Sequence, residues 1–286
     1  MKKTVIFLLV VIVAMLSACS GNSDNKADGA NQKKDPLWEK IKDKGVIVAG
    51  TDGTLYPASY YPEDSDKLTG YNVEIFRELA KRLGVKVKFE VMPFDSMLGA
   101  LSSGRVDMIQ AGPRGESKKK FTYSTPVKYS YATMIVRKKD HSGIEKMTDL
   151  KGKKAGGAAT TVYSEIAKKY GAKVVTYGNV ANDAYLRDVD NGRTDVVIND
   201  YYLQRLALAA LPQFDLEIHP NLKFYPNTNN VVIQKDAPVL EKKVNKAIAD
   251  MQEDGTLTKL SKKFFSGDDV SKEPDLPEMI DMEGIE

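Results

Sequence analysis

A handful of residues in this chain could together hold a small molecule carrying both a positive and a negative charge. Arg114 offers a planar guanidinium fork that fits a carboxylate. Thr160-Thr161 opens a helical pattern, so backbone N–H groups and hydroxyls there can donate to the same carboxylate. Asp52 and Asp200 can each take an ammonium. Tyr56 and Phe94 would add flat apolar surface, and Gly112 ends the apolar run that leads to Arg114. Each also has an ordinary structural use: an Arg in a turn, a Thr or an Asp capping a helix.

Bond-breaking chemistry finds little support. The two histidines, His141 and His219, stand in polar, turn-like surroundings and read as surface residues. The single cysteine, Cys19, precedes the folded part and offers it no nucleophile. There is no Walker loop, no G-x-S-x-G elbow and no H-E-x-x-H. G-P-R-G at Gly112–Gly115 is too short to be a dinucleotide fingerprint. No catalytic residue, metal ligand or cofactor is expected.

An internal echo sets where the binding candidates fall. Asp95 to Gly112 reads D-S-M-L-G-A-L-S-S-G-R-V-D-M-I-Q-A-G, and Asp183 to Asp200 reads D-A-Y-L-R-D-V-D-N-G-R-T-D-V-V-I-N-D. Leu98 aligns with Leu186, Leu101 with Val189, Gly104-Arg105 with Gly192-Arg193 and Asp107 with Asp195. Each copy predicts a helix capped by its Asp, apolar on one face and stopped by a left-handed Gly. A buried strand then follows. One strand ends at Ala111-Gly112 and the other at Asn199-Asp200. Ligands of open α/β sheets bind beyond the carboxyl ends of strands.

The remaining segments complete two α/β units. In the first, the strand Val46–Gly50 leads into Thr51-Asp52-Gly53-Thr54, followed by a helix from Gly70 to Leu83 and a strand over Val85–Val91. In the second, a helix starts at Thr160-Thr161 and ends at Gly171, a strand covers Lys173–Tyr177 and a helix Tyr201–Ala210. Short strands are expected at Leu222–Tyr225 and Asn230–Gln234. Amphipathic helices at Leu240–Met251 and Leu257–Phe265 would pack back on the first unit. The chain therefore crosses twice, near Val136–Lys138 and within Asn230–Gln234. Two crossing strands form a hinge, and the cleft between lobes is where a small ligand would sit. The expected boundaries are 38–137 for the first lobe, 138–232 for the second and 233–266 for the return segment. The acidic, Pro-rich tail at 267–286 is expected to be loosely held.

The composition is that of an ordinary folded protein: 286 residues, 42% hydrophobic and 28% charged. Basic and acidic residues nearly balance, 42 against 39, which gives no reason to expect nucleic acid as a partner. The first 18 residues read as an export signal, with Lys2-Lys3 before an apolar Val5–Met15 too short for a comfortable span. Leu16-Ser17-Ala18-Cys19 resembles a bacterial lipobox, which implies a diacylglyceryl group on Cys19. The alternative is a plain secretory signal with an incidental cysteine. Residues 19–37 are mostly polar and predict a flexible tether. Together these place a monomeric domain on a lipid anchor at the outer face of the cell membrane.

Several segments together resemble the bacterial extracellular solute-binding proteins for polar amino acids, the receptor components of ABC importers. They are G-T-D-G-T…Y-P at Gly50–Pro57, L-T-G-Y-N-V-E at Leu68–Glu74, F-D at Phe94-Asp95 and G-R-V-D at Gly104–Asp107. K-K-K-F-T-Y-S-T-P at Lys118–Pro126, D-L-K-G-K at Asp149–Lys153 and D-G-T-L-T-K-L-S-K-K at Asp254–Lys263 complete the set. The likeness runs from about Trp38 to Phe265. It implies the two-lobed periplasmic-binding-protein-like α/β fold, an amino-acid ligand, and a permease with its ATPase as partners. It further implies that Asp200 holds the ligand ammonium, Asp52 contacts amino groups, Phe94 stacks on the ligand and Thr160-Thr161 binds the carboxylate. Ser117 stands where the family has its carboxylate-clamping Arg. Either Arg114 reaches the same place from a shifted loop, or carboxylate binding is altered. A-T-T-V-Y-S-E-I-A-K-K-Y-G-A at Ala159–Ala172 is similar to the cystine-binding branch. Rival readings are an exported enzyme on the same scaffold, a dehydratase or transglycosylase using Glu63 or Glu116 as acid, and a sensor module acting through a partner.

Overall fold

The computed structural model describes residues 35–177, 180, 182–276 and 279–280. The export signal, Cys19 and the tether up to residue 34 lie outside them. Residues 35–286 cluster as one unit. Asp35 starts it by serving two helices. Its carboxylate caps α1 (Pro36–Lys44) through Trp38 N at 2.9 Å, and accepts from Val239 N and Leu240 N at 3.0 and 2.9 Å in the first turn of a late helix, Pro238–Glu253.

The first half is built from β1 (Val46–Thr51), α2 (Tyr71–Leu83), β2 (Lys86–Val91), α3 (Phe94–Ser102) and β3 (Met108–Ala111). A strand of 17 residues, β4 (Phe121–Arg137), then carries the chain across. The second half repeats the plan with β5 (Lys154–Gly157), α4 (Val162–Lys169), β6 (Lys173–Thr176), α5 (Asn182–Asp190) and β7 (Val196–Asp200). α6 (Tyr201–Ala210) and β8 (Leu216–Ile218) follow, and β9 (Phe224–Gln234) returns. α7 (Pro238–Glu253) and α8 (Thr256–Phe264) finish on the first half.

These nine strands form one sheet in the order β2–β1–β3–β9–β4–β7–β5–β6, with β8 beside β4, and Thr54–Leu55 pairs separately with Ser59–Tyr60. β1 runs parallel to β2 and β3, and β5 parallel to β6 and β7. The two crossing strands, β4 and β9, are antiparallel to each other and to their outer neighbours. Apolar clusters lie on both faces of each half. One cluster packs α2, α7 and α8 on β1, and another packs α3 on β3; in the second half one gathers around α4 and another around α5.

The echo is one of scaffolding. Gly104 and Gly192 both have φ of 72°, the left-handed turn that stops each helix. Asp107 and Asp195 then lock each new strand to its neighbour. Asp107 exchanges backbone and side-chain bonds with Val48 at 2.8 and 2.9 Å, and Asp195 does so with Lys154 at 2.8 Å each. The expected Asp caps fail in both copies: Pro93 is the cap residue of α3, with Asp95 inside the first turn and its carboxylate turned elsewhere, and Asp183 likewise lies inside the first turn of α5.

Three further expectations change. The sheet hands over from one half to the other earlier than Val136–Lys138, because Ala132 to Ile135 already pair with β7. On the return strand, Asn230 to Ile233 already pair with β3. The two expected short strands at Leu222–Tyr225 and Asn230–Gln234 are one strand with register shifts near Pro226 and Asn230. The described part of the tail is fastened, not loose. Val270 is fully buried and accepts from Tyr129 N at 2.8 Å, Asp268 pairs with Arg205, and Ile280 bonds to Lys223 O at 2.9 Å. Acidic, Pro-rich composition concealed the apolar Val270 and Ile280 that anchor it.

Candidate functional site

The strand ends of both halves open on one cavity of about 580 Å³, within the range of small-molecule sites. Asp52, Phe94, Gly112, Arg114, Thr161 and Asp200 all line it. Tyr56 does not: it is 40% exposed, with its ring edge-on to Tyr60 at 4.9 Å, and Leu55 lines the cavity instead. Glu63 and Glu116, the nominated acids of an enzyme reading, are both exposed and outside the lining.

Gly112 has no room for a side chain, since an added Cβ would meet Thr228 O of β9 at 2.8 Å. Beyond it the loop folds on itself. Ser117 donates to Arg114 O at 2.5 Å and accepts from Tyr123 Oη at 2.7 Å. With Ser117 thus engaged, Arg114 points across the cleft. Its side chain is 14% exposed and lies 3.7 Å from Glu165 in the first turn of α4. Arg114 thus lines the cavity from this loop.

Thr161 is the cap of α4, accepting from Ser164 N at 3.2 Å. Thr160 is turned outward. Its N–H and Oγ1 donate to Asp95 at 2.9 and 2.6 Å, and Ala159 N adds a third bond at 3.0 Å. Asp95 belongs to the opposite half, so these bonds span the cleft. A protein carboxylate therefore occupies the Thr160 donors that were expected to meet a ligand carboxylate. Burial pushes the Asp95 carboxyl up, but the donors from Thr160 and Ala159 and the charge of Arg114 outweigh it and hold the pKa below 3.8.

Two carboxylates stand deeper. Burial raises Asp52 to about 6, against backbone N–H bonds from Thr54, Leu55 and Gly53 that pull it down. Asp200 is 3% exposed and caps α6 through Leu203 N at 3.1 Å. Its other oxygen accepts from the Lys128 ammonium. The wall also presents amide acceptors. Gln110 Oε1 and Asn229 Oδ1 are buried without a hydrogen-bond partner among the described residues, and each can receive an N–H.

The model of the bacterial extracellular solute-binding proteins, family 3, matches residues 47–267. The chain belongs to this family. It is similar to a probable ABC transporter extracellular-binding protein, YckB of Bacillus subtilis (strain 168), 55% identical with 96% of this chain and 95% of YckB covered. It is also similar to the L-cystine-binding protein TcyA of the same organism, 38% identical over 95% of this chain and 100% of TcyA. Among solved structures, the amino-acid ABC transporter substrate-binding protein AbpA from Streptococcus pneumoniae, bound to L-arginine, superposes with a TM-score of 0.73. It is 27% identical, over 82% of this chain and 100% of that one. These relatives are binding proteins, not enzymes, and the mixed α/β fold is the family's own.

Several cavity residues of this family 3 chain escaped the sequence reading. Tyr163 of α4 is raised far above its ordinary pKa, by burial first and then by Asp200, while Arg114 acts in the opposite sense. Tyr185 of α5, raised by burial, feels Asp95 and Asp52 in the same way. Both lie at helix positions that pattern alone assigns to the core. Lys128 interrupts an apolar strand, and that is the signal that could have found it. His219 corrects another expectation, being fully buried rather than a surface residue. Its Nδ1 accepts from Asn221 N and Leu222 N at 3.2 Å each, so Nε2 carries the proton and donates to Ile144 O at 2.9 Å. Burial lowers its pKa below 6.5. His141, Glu145 and His219 offer ligand atoms within 4.8 Å of one another, but with both His219 nitrogens engaged the group is a hydrogen-bonded cluster.

Proposed function

We propose that this family 3 protein is the binding component of an ABC importer, capturing a polar amino acid outside the cell, with L-cystine as the finer reading. One observation carries it: a single cavity is lined by a cation and a helix start, Arg114 with α4, and by two carboxylates, Asp52 and Asp200. That is the complement of a zwitterion. Arg114 with the first turn of α4 takes the carboxylate, and the Asp52 and Asp200 side takes the ammonium. Because the groups come from both halves, a ligand makes its full contacts only when the cleft is closed. Binding therefore shifts an open–closed equilibrium about β4 and β9, and the permease with its ATPase would recognise the closed form. Cystine is supported by the likeness to TcyA, named an L-cystine-binding protein, and by a cavity roomy enough for a ligand with two zwitterionic ends. Cys19, outside the described residues, would carry the lipid that keeps a monomeric receptor at the membrane.

Isothermal titration of the soluble domain against cystine and the common amino acids tests this. Saturable heat is expected, largest in affinity for cystine. No binding to any of them would end the amino-acid reading, whereas tighter binding of another amino acid would end only the cystine assignment.

A further inference from the structure

Lys128 lies midway along the crossing strand β4, where its charge would ordinarily be unwelcome. Its side chain is 7% exposed and reaches Asp200, itself 5% exposed. The rings of Tyr202 and Phe265 flank the ammonium, with centroids 5.8 Å away. Asp200 Oδ1 is committed to Leu203 N and Oδ2 to Lys128. Both residues line the cavity. The carboxylate at the end of the second echo copy is thus one half of a neutral, buried pair. Any ligand cation arriving there must stand beside a fixed ammonium in a wall of aromatic rings, with little water to screen the repulsion.

We propose that Lys128 is a specificity-determining residue of the cleft, excluding amino acids with cationic side chains and favouring a ligand end that brings a carboxylate together with its ammonium. This rests on the amino-acid reading above. An end with both groups sets its ammonium against Asp200 and its carboxylate against Lys128, so the charges alternate. A ligand end that is only an ammonium or guanidinium crowds two cations onto one carboxylate oxygen. Selectivity then comes from a repulsive element built into the site as well as from the attractive ones.

The test is calorimetric titration of arginine, lysine, glutamate and cystine into the wild type, into Lys128→Met, which keeps length and removes charge, and into Lys128→Gln, which keeps a donor for Asp200. Thermal melts verify folding. Arginine and lysine are expected to bind the folded variants at least about tenfold more tightly than they bind the wild type, a change of about 1.4 kcal/mol, and cystine to bind them more weakly. Unchanged arginine and lysine affinities in a folded variant overturn the role of Lys128. So does loss of folding in both variants, because Lys128 would then be a structural counter-ion only. A wild type that binds none of the four, beside a variant that gains arginine, would strike the cystine assignment and leave Lys128 as the gate. A wild type that binds cystine, with variants of unchanged profile, would do the reverse.

Discussion

The two echo copies share a scaffold and diverge at its ends. α3–β3 and α5–β7 stop their helices with glycines of equal φ and lock their strands through Asp107 and Asp195. At the strand ends the likeness stops. β3 runs out into Gly112, which gives way to the backbone of β9, while β7 ends on Asp200, which caps α6 and holds Lys128. The helix starts differ too, since Asp95 reaches across the cleft whereas Asp183 pairs with Arg187 on its own helix. What the copies retain positions the strands, and what they do not retain lines the cavity.

Breaking the second strand end should have the largest effect. Asp200→Ala removes the cap of α6 and leaves the Lys128 ammonium buried without its carboxylate. Removing one partner of a buried pair costs about 3–5 kcal/mol, so the urea midpoint should fall sharply and ligand binding should vanish. A midpoint within experimental error of wild type would show that Lys128 finds water or another acceptor, and would remove the distinction between the two strand ends.

The strand ends themselves were legible before any coordinates. Helix, Gly and strand alternate with strong periodicity in both copies, and the glycines have one physical use at those positions. The site was legible in its charges, and six of its eight proposed ligand-binding residues line the cavity. Partnership was not legible. Thr160 looks like a free helix start until Asp95 arrives from the other half, and Asp200 looks like a free anion until β4 delivers Lys128. Tyr56 and Leu55 are neighbours that share the turn signal, and only the backbone path decides which faces inward. Such long-range pairings depend on how the two halves meet, which local pattern does not encode.

A second contrast lies one strand further out, where β1 leads into Asp52 and β5 ends at Gly157. Asp52 is raised from 3.8 to about 6 by burial. A raised carboxyl makes the folded state bind more protons than the unfolded one between those values, so its contribution to stability falls as pH rises from about 4 to about 6 and is flat above. Asp52→Asn should abolish that fall and stabilise the ligand-free protein at pH 7 by on the order of 2–3 kcal/mol, while weakening binding of any ligand ammonium. Denaturant midpoints across pH 4–7 would expose the difference, and parallel curves for the two proteins would contradict it.

The conserved half of the comparison can be attacked through the locking residues. Asp107 is 4% exposed, and Asp107→Ala strands Val48 N without its charged acceptor, at a cost of about 2 kcal/mol. Asp195 is only half-buried, so water can replace it at Lys154 N and Asp195→Ala should cost about 1 kcal/mol. Neither should change which ligand is preferred. A switch in ligand preference from either substitution would mean that the locking aspartates belong to the site rather than to the scaffold beneath it.

The smallest change in stability should come from the first residue of each copy, and here the two should respond differently in kind. Asp183→Ala removes one exposed i,i+4 pair, worth about 0.3–0.5 kcal/mol, and nothing that spans the cleft. Asp95→Ala should cost little more in unfolding, because Asp95 is exposed and water substitutes for its donors. It does remove three bonds that join the halves. The ligand-free protein should then favour the open form, seen as a larger radius of gyration in small-angle scattering, with weaker ligand affinity and an unchanged melting temperature. Acid should imitate the substitution. The Asp95 pKa is depressed below 3.8, so the joining bonds are complete above that value and are lost as pH falls through the lower one. The scattering radius of the wild type should rise in that window, and Asp95→Ala should begin at the larger radius and show no such rise. If Asp183→Ala opened the cleft as much as Asp95→Ala, the cross-cleft role of the first copy would be lost and the echo would be symmetric in function as well as in scaffold.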